Sequence, residues 1–417
     1  VTKKSQKIAI IGAGIVGVST AIWLQRAGHE VVLIDREGVA SGTSYGNAGI
    51  LACSGIIPVT TPGLVLKAPK MLFDPNQPLF LRWSYLPKIL PWLVGFLRKA
   101  NLKDMKNITS KLHMVMHDSV DQHKALAKGT SAEKYIITKG LLHVYNKKSD
   151  FEKDNLAWET LKKTGLEFVE VDAAGIEEYD PSLKNKFEYG ILSRSDGHIT
   201  DPSTYINALA KHFEEQGGKI IIGEAHNMLM QGNAVAAVEI KNGEAIKADH
   251  VVLTAGVWSG ELAKKLGLDV PLESERGYHL EFINSNIELK YPLMIKSGKF
   301  GMNSMNGRLR CAGIVELGGL DAEPSRAPFE LLKRQVKELF PELEYDEIKE
   351  WMGHRPSTTD SLPLIGALEK TPNVWAGFGH QHLGLTGGPR TGKWLAQMIS
   401  GEKPNEDLSA FAPNRFE

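Results

Sequence analysis

Residues 7–35, KIAIIGAGIVGVSTAIWLQRAGHEVVLID, leave the chain few alternatives. Ile8 to Ile11 is apolar and mostly β-branched, which suits a buried parallel strand, and it stops at Gly12-Ala13-Gly14-Ile15-Val16-Gly17. From Ile15 the pattern turns helical and Gly28-His29 ends it. Val31 to Ile34 is a second apolar run that delivers Asp35 at its tip. Strand, glycine turn, helix, strand and acid within about thirty residues predict a dinucleotide-binding βαβ unit. Gly12 permits the tight turn, Gly14 lets the backbone approach a pyrophosphate, and Gly17 lets helix and strand pack closely. The helix N-terminus at Ile15 and Val16 presents open N–H groups to an anion. Asp35 is placed for the hydroxyls of an unphosphorylated adenosine ribose, with Arg36 beside it.

A chain of 417 residues can form two domains or one elaborate one. Lys plus Arg equals Asp plus Glu at 49 each, and nothing in that balance points to a nucleic-acid partner. Cys53 and Cys311 have no metal-type spacing, so no metal site is expected; they read as small core residues in a reducing compartment. Val1 to Lys7 leads straight into the first strand, so no secretory leader is expected. The most apolar stretch, residues 79–97, is broken by Arg82, Pro87, Lys88 and Pro91 and cannot be a plain membrane span. The preferred reading is a pair of proline-split core helices. Trp83 and Trp92 with Lys88, Arg98 and Lys99 would also suit a segment lying on a membrane surface. The expected location is cytoplasmic, with peripheral contact at the inner face of the membrane as the further option.

Downstream of Asp35, GVASGTSYGNAGIL predicts a loop and helix start that wrap the nucleotide, with Thr43 and Ser44 as phosphate donors. Residues 56–76 look like an irregular excursion, 107–128 like one amphipathic helix, and 356–365 like a turn-rich run. Val251 to Leu253 is an apolar strand ending in Thr254-Ala255-Gly256, after which Trp258 starts a helix; these residues return the chain to the nucleotide. Residues 271–312 read as strands of an antiparallel sheet, and 379–388 as a glycine-rich approach to a last helix from Pro389 to Ser400. The fold class is therefore α/β: a Rossmann-like nucleotide domain (1–55, 195–268 and 352–417) and an α+β substrate domain (56–194 and 269–351).

Three separated pieces, AIIGAGIVGVSTAIWLQRAGHEVVLID, VVLTAGVWSGEL and GHRPSTTDSLPLIG…GFGHQHLGLTGGPRTG, resemble the D-amino-acid oxidase and glycine oxidase superfamily of FAD enzymes. SYGNAGILACSGIIPVTTPGLVLKAPKMLF is most similar to the D-amino-acid dehydrogenase small-subunit group. The resemblance implies FAD. Its contacts would be Gly12, Gly14, Ile15, Val16, Gly17, Asp35, Arg36, Thr43 and Ser44, then Asn47, Ala48, Gly49 and Leu51. Ala255, Gly256 and Trp258 follow, and His382, Leu383, Gly384, Leu385 and Thr386 line the pyrimidine edge. Some relatives attach flavin through a histidine near Asn47; asparagine cannot, so the FAD is expected to be non-covalent.

Arg355, in Gly353-His354-Arg355-Pro356, matches the family arginine that grips a substrate carboxylate, for which a planar guanidinium offers two parallel bonds. Tyr278 is implied as a second contact. His279 reads either as part of the site or as a core histidine. His382 stands where glycine oxidases carry a second substrate-facing arginine. The implied reaction is dehydrogenation of a (D-)amino acid to the imino acid, with a quinone or another carrier as acceptor. Two alternatives remain open: a secondary amine such as sarcosine, proline or hydroxyproline as substrate, and a flavin subunit that needs a partner for turnover.

Overall fold

The structure, a computed structural model, describes residues 5–74 and 76–417. The expectation of no leader rests partly on residues 1–4, which lie outside the described residues. Strand β1 (Lys7–Ile11), helix α1 (Ile15–Arg26) and strand β2 (Glu30–Asp35) form the expected βαβ unit. β1 lies between β2 and β3 (His250–Leu253), parallel to both. The six-stranded sheet runs Lys219–Ile222, β2, β1, β3, Val374–Phe378, Leu364–Ala367, and only the last junction is antiparallel. Ile8, Ile10, Leu33, Val251 and Leu253 are buried, as a sheet covered on both faces requires. A Cβ on Gly17 would lie 1.8 Å from the Gly12 carbonyl oxygen, so only glycine lets α1 sit this close to the turn.

The second sheet has nine strands. Its working part is β4 (Leu272–Ile283), β5 (Arg308–Leu317) and β6 (Glu347–Thr358), with β4 antiparallel to both neighbours. The sheet is mainly antiparallel, as expected, with two parallel junctions: Leu293–Ile295 beside Leu141–Tyr145, and β5 beside Leu79–Leu81. The expected turn-rich run after Arg355 begins later than predicted, because β6 continues to Thr358, and a domain boundary at 352 falls inside that strand.

Residues 56–76 are less irregular than their prolines suggest: they contain helix α2 (Leu64–Phe73). The stretch 79–97 gives one strand, Leu79–Leu81, a 3-10 turn, Trp83–Tyr85, and one α-helix, α3 (Leu86–Arg98), rather than two core helices. Ile89, Trp92 and Phe96 form the buried stripe of α3 at helical spacing, while Leu90 and Val94 stay exposed. Residues 107–128 form parts of two helices, Leu102–Met116 and Ser119–Ala127, the first capped by Asn101, whose side chain accepts from the Asp104 N–H at 3.0 Å. The break frees Asp118 to receive Arg390 at 3.0 Å and Ser119 to donate to the Thr386 carbonyl at 2.7 Å.

Both partners lie on α4 (Gly384–Ile399), which starts five residues earlier than predicted. α4 crosses α1 closely, because Cβ atoms on Gly388 and Gly392 would meet Ile15 and the Thr20 nitrogen at 3.0 and 2.6 Å. Among the described residues no helix is long and apolar enough to cross a membrane.

Candidate active site

One cavity of about 770 Å³ runs from the βαβ turn to the face of the nine-stranded sheet, within the size range of a cofactor-plus-substrate site. At its nucleotide end lie Gly12, Gly14, Ile15, Val16, Asp35, Arg36, Thr43 and Ser44. Asp35 already shapes this end: one carboxylate oxygen accepts the Ala13 N–H at 2.8 Å and the other accepts those of Glu37 and Gly38 at 2.9 and 3.0 Å. The oxygen that accepts only from Ala13 keeps a further lone pair for a hydroxyl donor. The Ser44 hydroxyl accepts from the Ile15 N–H at 3.0 Å, which leaves its own proton to donate. The Arg36 guanidinium lies 4.0 Å from the Trp258 ring centre, and Ala255, Gly256 and Trp258 complete the wall.

In the middle of the cavity Asn47 and Ala48 face the first turn of α4. The Asn47 side chain is committed to its own loop, donating to the Ser44 carbonyl at 2.8 Å and accepting from the Gly49 N–H at 2.8 Å. Across from it, the Leu383 N–H is spent on the His380 carbonyl at 2.9 Å, and Gly384, Leu385 and Thr386 bring the unpaired N–H groups of the helix start to the cavity, where the helix dipole favours negative charge. His382 is exposed to the cavity; the surrounding protein and the Arg355 charge hold its imidazole down to about 4, below its ordinary value, so it is neutral near pH 7.

Three strand pairs lie at the other end, the third contributing only Trp351 to the cavity wall. Glu275 is opposite Arg355, Gly277 opposite Gly353 and His279 opposite Trp351, all on one face of the β4–β6 ladder. The Trp351 ring covers Gly353, and Gly277 leaves a bare floor. The Arg355 guanidinium fills it: a Cβ on Gly277 would lie 2.6 Å from Arg355 Cζ. Arg355 Nη2 donates to the Gly313 carbonyl at 2.8 Å, beside the register shift where β5 meets β4. Glu275, 8% exposed, borders the same cavity. The outer wall is apolar: Leu64, Met71 and Leu72 of α2, then Trp92, Leu93 and Phe96 of α3.

Four expected site residues lie elsewhere. His279 is not in the cavity wall; its Nδ1–H donates to the Gly46 carbonyl at 2.8 Å and its ring stacks on Trp351 at 5.0 Å, so it braces the loop from behind. Leu51 is fully buried in the core because Ile50 and Ala52, on the opposite strand parity, take the cavity side. Gly17 and Gly49 shape turns without lining the cavity. Tyr278 borders the cavity, but its hydroxyl donates to Glu316 and accepts from the Ser325 N–H at 3.1 Å, on the face covered by Phe329. It is therefore not free to hold a substrate carboxylate. Glu275, Gly277 and Gly313 were missed by the sequence reading, because they meet Arg355 only through the pairing of β4 with β6 and with β5.

With this geometry in hand, the comparisons are consistent with one another. The DAO family, described as FAD dependent oxidoreductase, matches residues 7–398. A D-amino-acid oxidase of Bradyrhizobium diazoefficiens is 37% identical over 420 residues, 99% of each chain. A D-amino acid dehydrogenase of Rhizorhabdus wittichii is 29% identical, covering 98% of this chain and 100% of that one. Among solved structures, glycine oxidase from Geobacillus kaustophilus has a TM-score of 0.74 at 19% identity, over 99% of both chains, which is a likeness of fold. The residues present fit a dinucleotide flavin: a Cβ on Gly14 would come within 3.0 Å of Ser44 Oγ, and both helix N-termini open into one continuous cavity.

Two outcomes follow from this geometry. Gly277→Ala should displace the guanidinium and lower kcat/KM at least 100-fold while the flavin spectrum stays intact; steady-state kinetics with absorbance on the same preparation checks it. Acid stability is the second. Burial holds His123, His279 and His380 down to about 4, against 6.5 in the unfolded chain. The unfolded state binds more protons between these values, so the stability they contribute is complete above 6.5 and lost as pH falls toward 4. Each contributes up to about 1.4 kcal/mol per pH unit. His123 donates to the Leu385 carbonyl at 2.9 Å and His380 meets Thr391 Oγ1 at 2.9 Å, so urea midpoints should fall from pH 7 to 5 with flavin released in parallel.

Proposed function

The chain belongs to the DAO family of FAD-dependent oxidoreductases, and from that premise we propose that it oxidises the C–N bond of a D-amino acid to the imino acid, which water converts to a 2-oxo acid and ammonia. The observation that carries this reading is the Arg355 guanidinium, laid on a bare glycine floor in the wall of a dinucleotide-sized cavity with N–H donors still turned toward it. A carboxylate there receives two parallel charge-assisted bonds, which fixes the α-carbon. FAD, when bound, supplies the acceptor for the α-hydrogen and its two electrons. Gly12, Gly14, Ser44 and Asp35 would hold its nucleotide half. The first turn of α4 would face the ring edge that gains negative charge. A neutral His382 offers one donor or acceptor without competing with Arg355 for the carboxylate. The apolar wall of α2 and α3 accepts an aliphatic or aromatic substrate side chain.

The two named relatives, an oxidase and a dehydrogenase, differ in electron acceptor, and we take a quinone or another carrier as this chain's acceptor. We take the FAD as non-covalent, since the Asn47 amide is no nucleophile and is spent on its own loop. The division into a nucleotide domain (1–55, 195–268, 352–417) and a substrate domain (56–194, 269–351) is proposed with these roles.

Peripheral membrane contact is proposed for the outer face of α2 and α3. Leu66, Phe73, Trp83 and Leu90 are exposed there beside Lys67, Lys70 and Lys88. Such a face suits an anionic bilayer surface.

An anaerobic panel on the purified protein tests the central reading. D-amino acids with apolar side chains should bleach the flavin near ~450 nm. Arg355→Met should cut kcat/KM by about 10³-fold or more, as loss of a charge-assisted bidentate contact would. Bleaching by N-methyl amino acids or proline alone would favour the secondary-amine reading, and no bleaching without an added protein would favour the partner-dependent one. Oxygen uptake slower than dye reduction supports the carrier; fast peroxide release would count against it. For the membrane face, Leu66→Glu with Trp83→Glu should abolish sedimentation with anionic vesicles at low salt. Equal pelleting of both proteins would remove that proposal.

A further inference from the structure

The carboxyl group of Glu275 has no place in the reaction as set out above. It is opposite Arg355 in the β4–β6 register, so both side chains rise from one face of the sheet. A directly paired couple would be the ordinary arrangement for two buried opposite charges. Here the guanidinium instead leans over Gly277, two residues further along β4, and donates to the Gly313 carbonyl. No direct ion pair joins the two among the described residues, although each feels the other's charge. A carboxyl group and a guanidinium thus border one cavity side by side, held apart.

An α-amino acid carries the complementary couple: a carboxylate and an ammonium on the same carbon. With its carboxylate on Arg355, its nitrogen is directed along the ladder toward Glu275 or away from it. Only the first direction satisfies both charges. Hydrogen also leaves the α-carbon readily only when the nitrogen has a free lone pair, and the zwitterion has none. Resting on the reading of the site as an amino-acid dehydrogenase, we propose that Glu275 receives the substrate ammonium and takes one of its protons. The nitrogen–hydrogen bond breaks, an oxygen–hydrogen bond forms on the carboxylate, and the substrate amine becomes neutral without any change in oxidation state. The proton later passes to water.

The surroundings suit a base of this kind. Burial raises the Glu275 carboxyl above the usual range while Arg355 pulls the other way, so its proton affinity moves toward that needed near neutral pH. The groups facing it are few. Arg355 and Ser357 come from β6, and Glu273, on its own strand, is engaged by the Tyr85 hydroxyl at 3.1 Å. His382, across the cavity, is neutral. Lys299 stands at the rim. Glu275 would thus be a catalytic residue for the amine, distinct from Arg355, which serves the carboxylate.

Glu275→Gln keeps the shape and removes the charge, and the holoenzyme is the material to test. For the best D-amino acid of the panel, kcat/KM of the variant should fall on the order of 100-fold at pH 7 and recover about tenfold per pH unit as the free amine becomes available, while the wild type stays nearly flat. Isovalerate, a carboxylate without an amine, should bind wild type and variant within about twofold of each other, read from the shift of the flavin absorption band. Glu275→Asp should restore part of the activity at pH 7. The proposal is overturned if the variant keeps the wild-type pH profile. It is also overturned if isovalerate and the amino acid weaken together, which would mean that Glu275 only holds Arg355 in place. A wild type that no amino acid reduces would overturn the functional reading itself, and this inference with it.

Discussion

A guanidinium packed against backbone is the constraint on which the substrate end depends. Arg355 is half-buried in the cavity wall, and desolvation pulls its pKa down despite the nearby Glu275 charge. Leaving such a cation without compensation typically costs about 3–5 kcal/mol. The fold compensates it in parts: one carbonyl at Gly313, one carboxyl held at a distance, and the remaining N–H donors turned to the cavity. On the proposed reading of the site, this incompleteness is what leaves Arg355 donors for a substrate carboxylate. A site that satisfied Arg355 internally would have no reason to bind a carboxylate.

Holding that arginine in register with a nucleotide bound to the other sheet needs a second fixed point, supplied by Arg310. Fully buried, it donates to Glu281 at 2.9 Å and to the carbonyls of Tyr45 and Asn47 at 2.7 Å each. The loop that leaves the nucleotide's phosphate end is thereby tied to the nine-stranded sheet at the Asn47-Ala48 wall itself. His279 adds a bond to Gly46 in the same loop. The crossing of α1 and α4 over Gly388 and Gly392 aligns the two helix starts. Cofactor and substrate positions are therefore coupled through backbone carbonyls and bare glycines, which have no rotamer freedom to lose.

What could be read in the sequence was local chemistry. The glycine turn, Asp35, the start of α4 and Arg355 each carry their signal within a few residues, and each borders the cavity. What escaped depends on strand parity and on pairing across long sequence distances. Tyr278 and His279 are adjacent to Gly277, but the alternation of a strand and one register shift send the tyrosine hydroxyl to Glu316, while the histidine, on the same face as Gly277, is covered by the Trp351 ring. Leu51 falls on the core side for the same reason. Glu275 and Gly313 acquire meaning only when β4, β5 and β6 lie side by side. The helix α2 was hidden by prolines around it, and the single helix expected at 107–128 is divided because Asp118 and Ser119 have partners on α4.

The most direct measurement is a crystal structure of the flavin-loaded protein with an unreactive carboxylate bound. The account predicts that the ligand's two oxygens lie on the Arg355 guanidinium, with the bond to the Gly313 carbonyl retained and the guanidinium still covering Gly277. A carboxylate held elsewhere in the cavity, or an Arg355 turned away from the flavin ring, would contradict it.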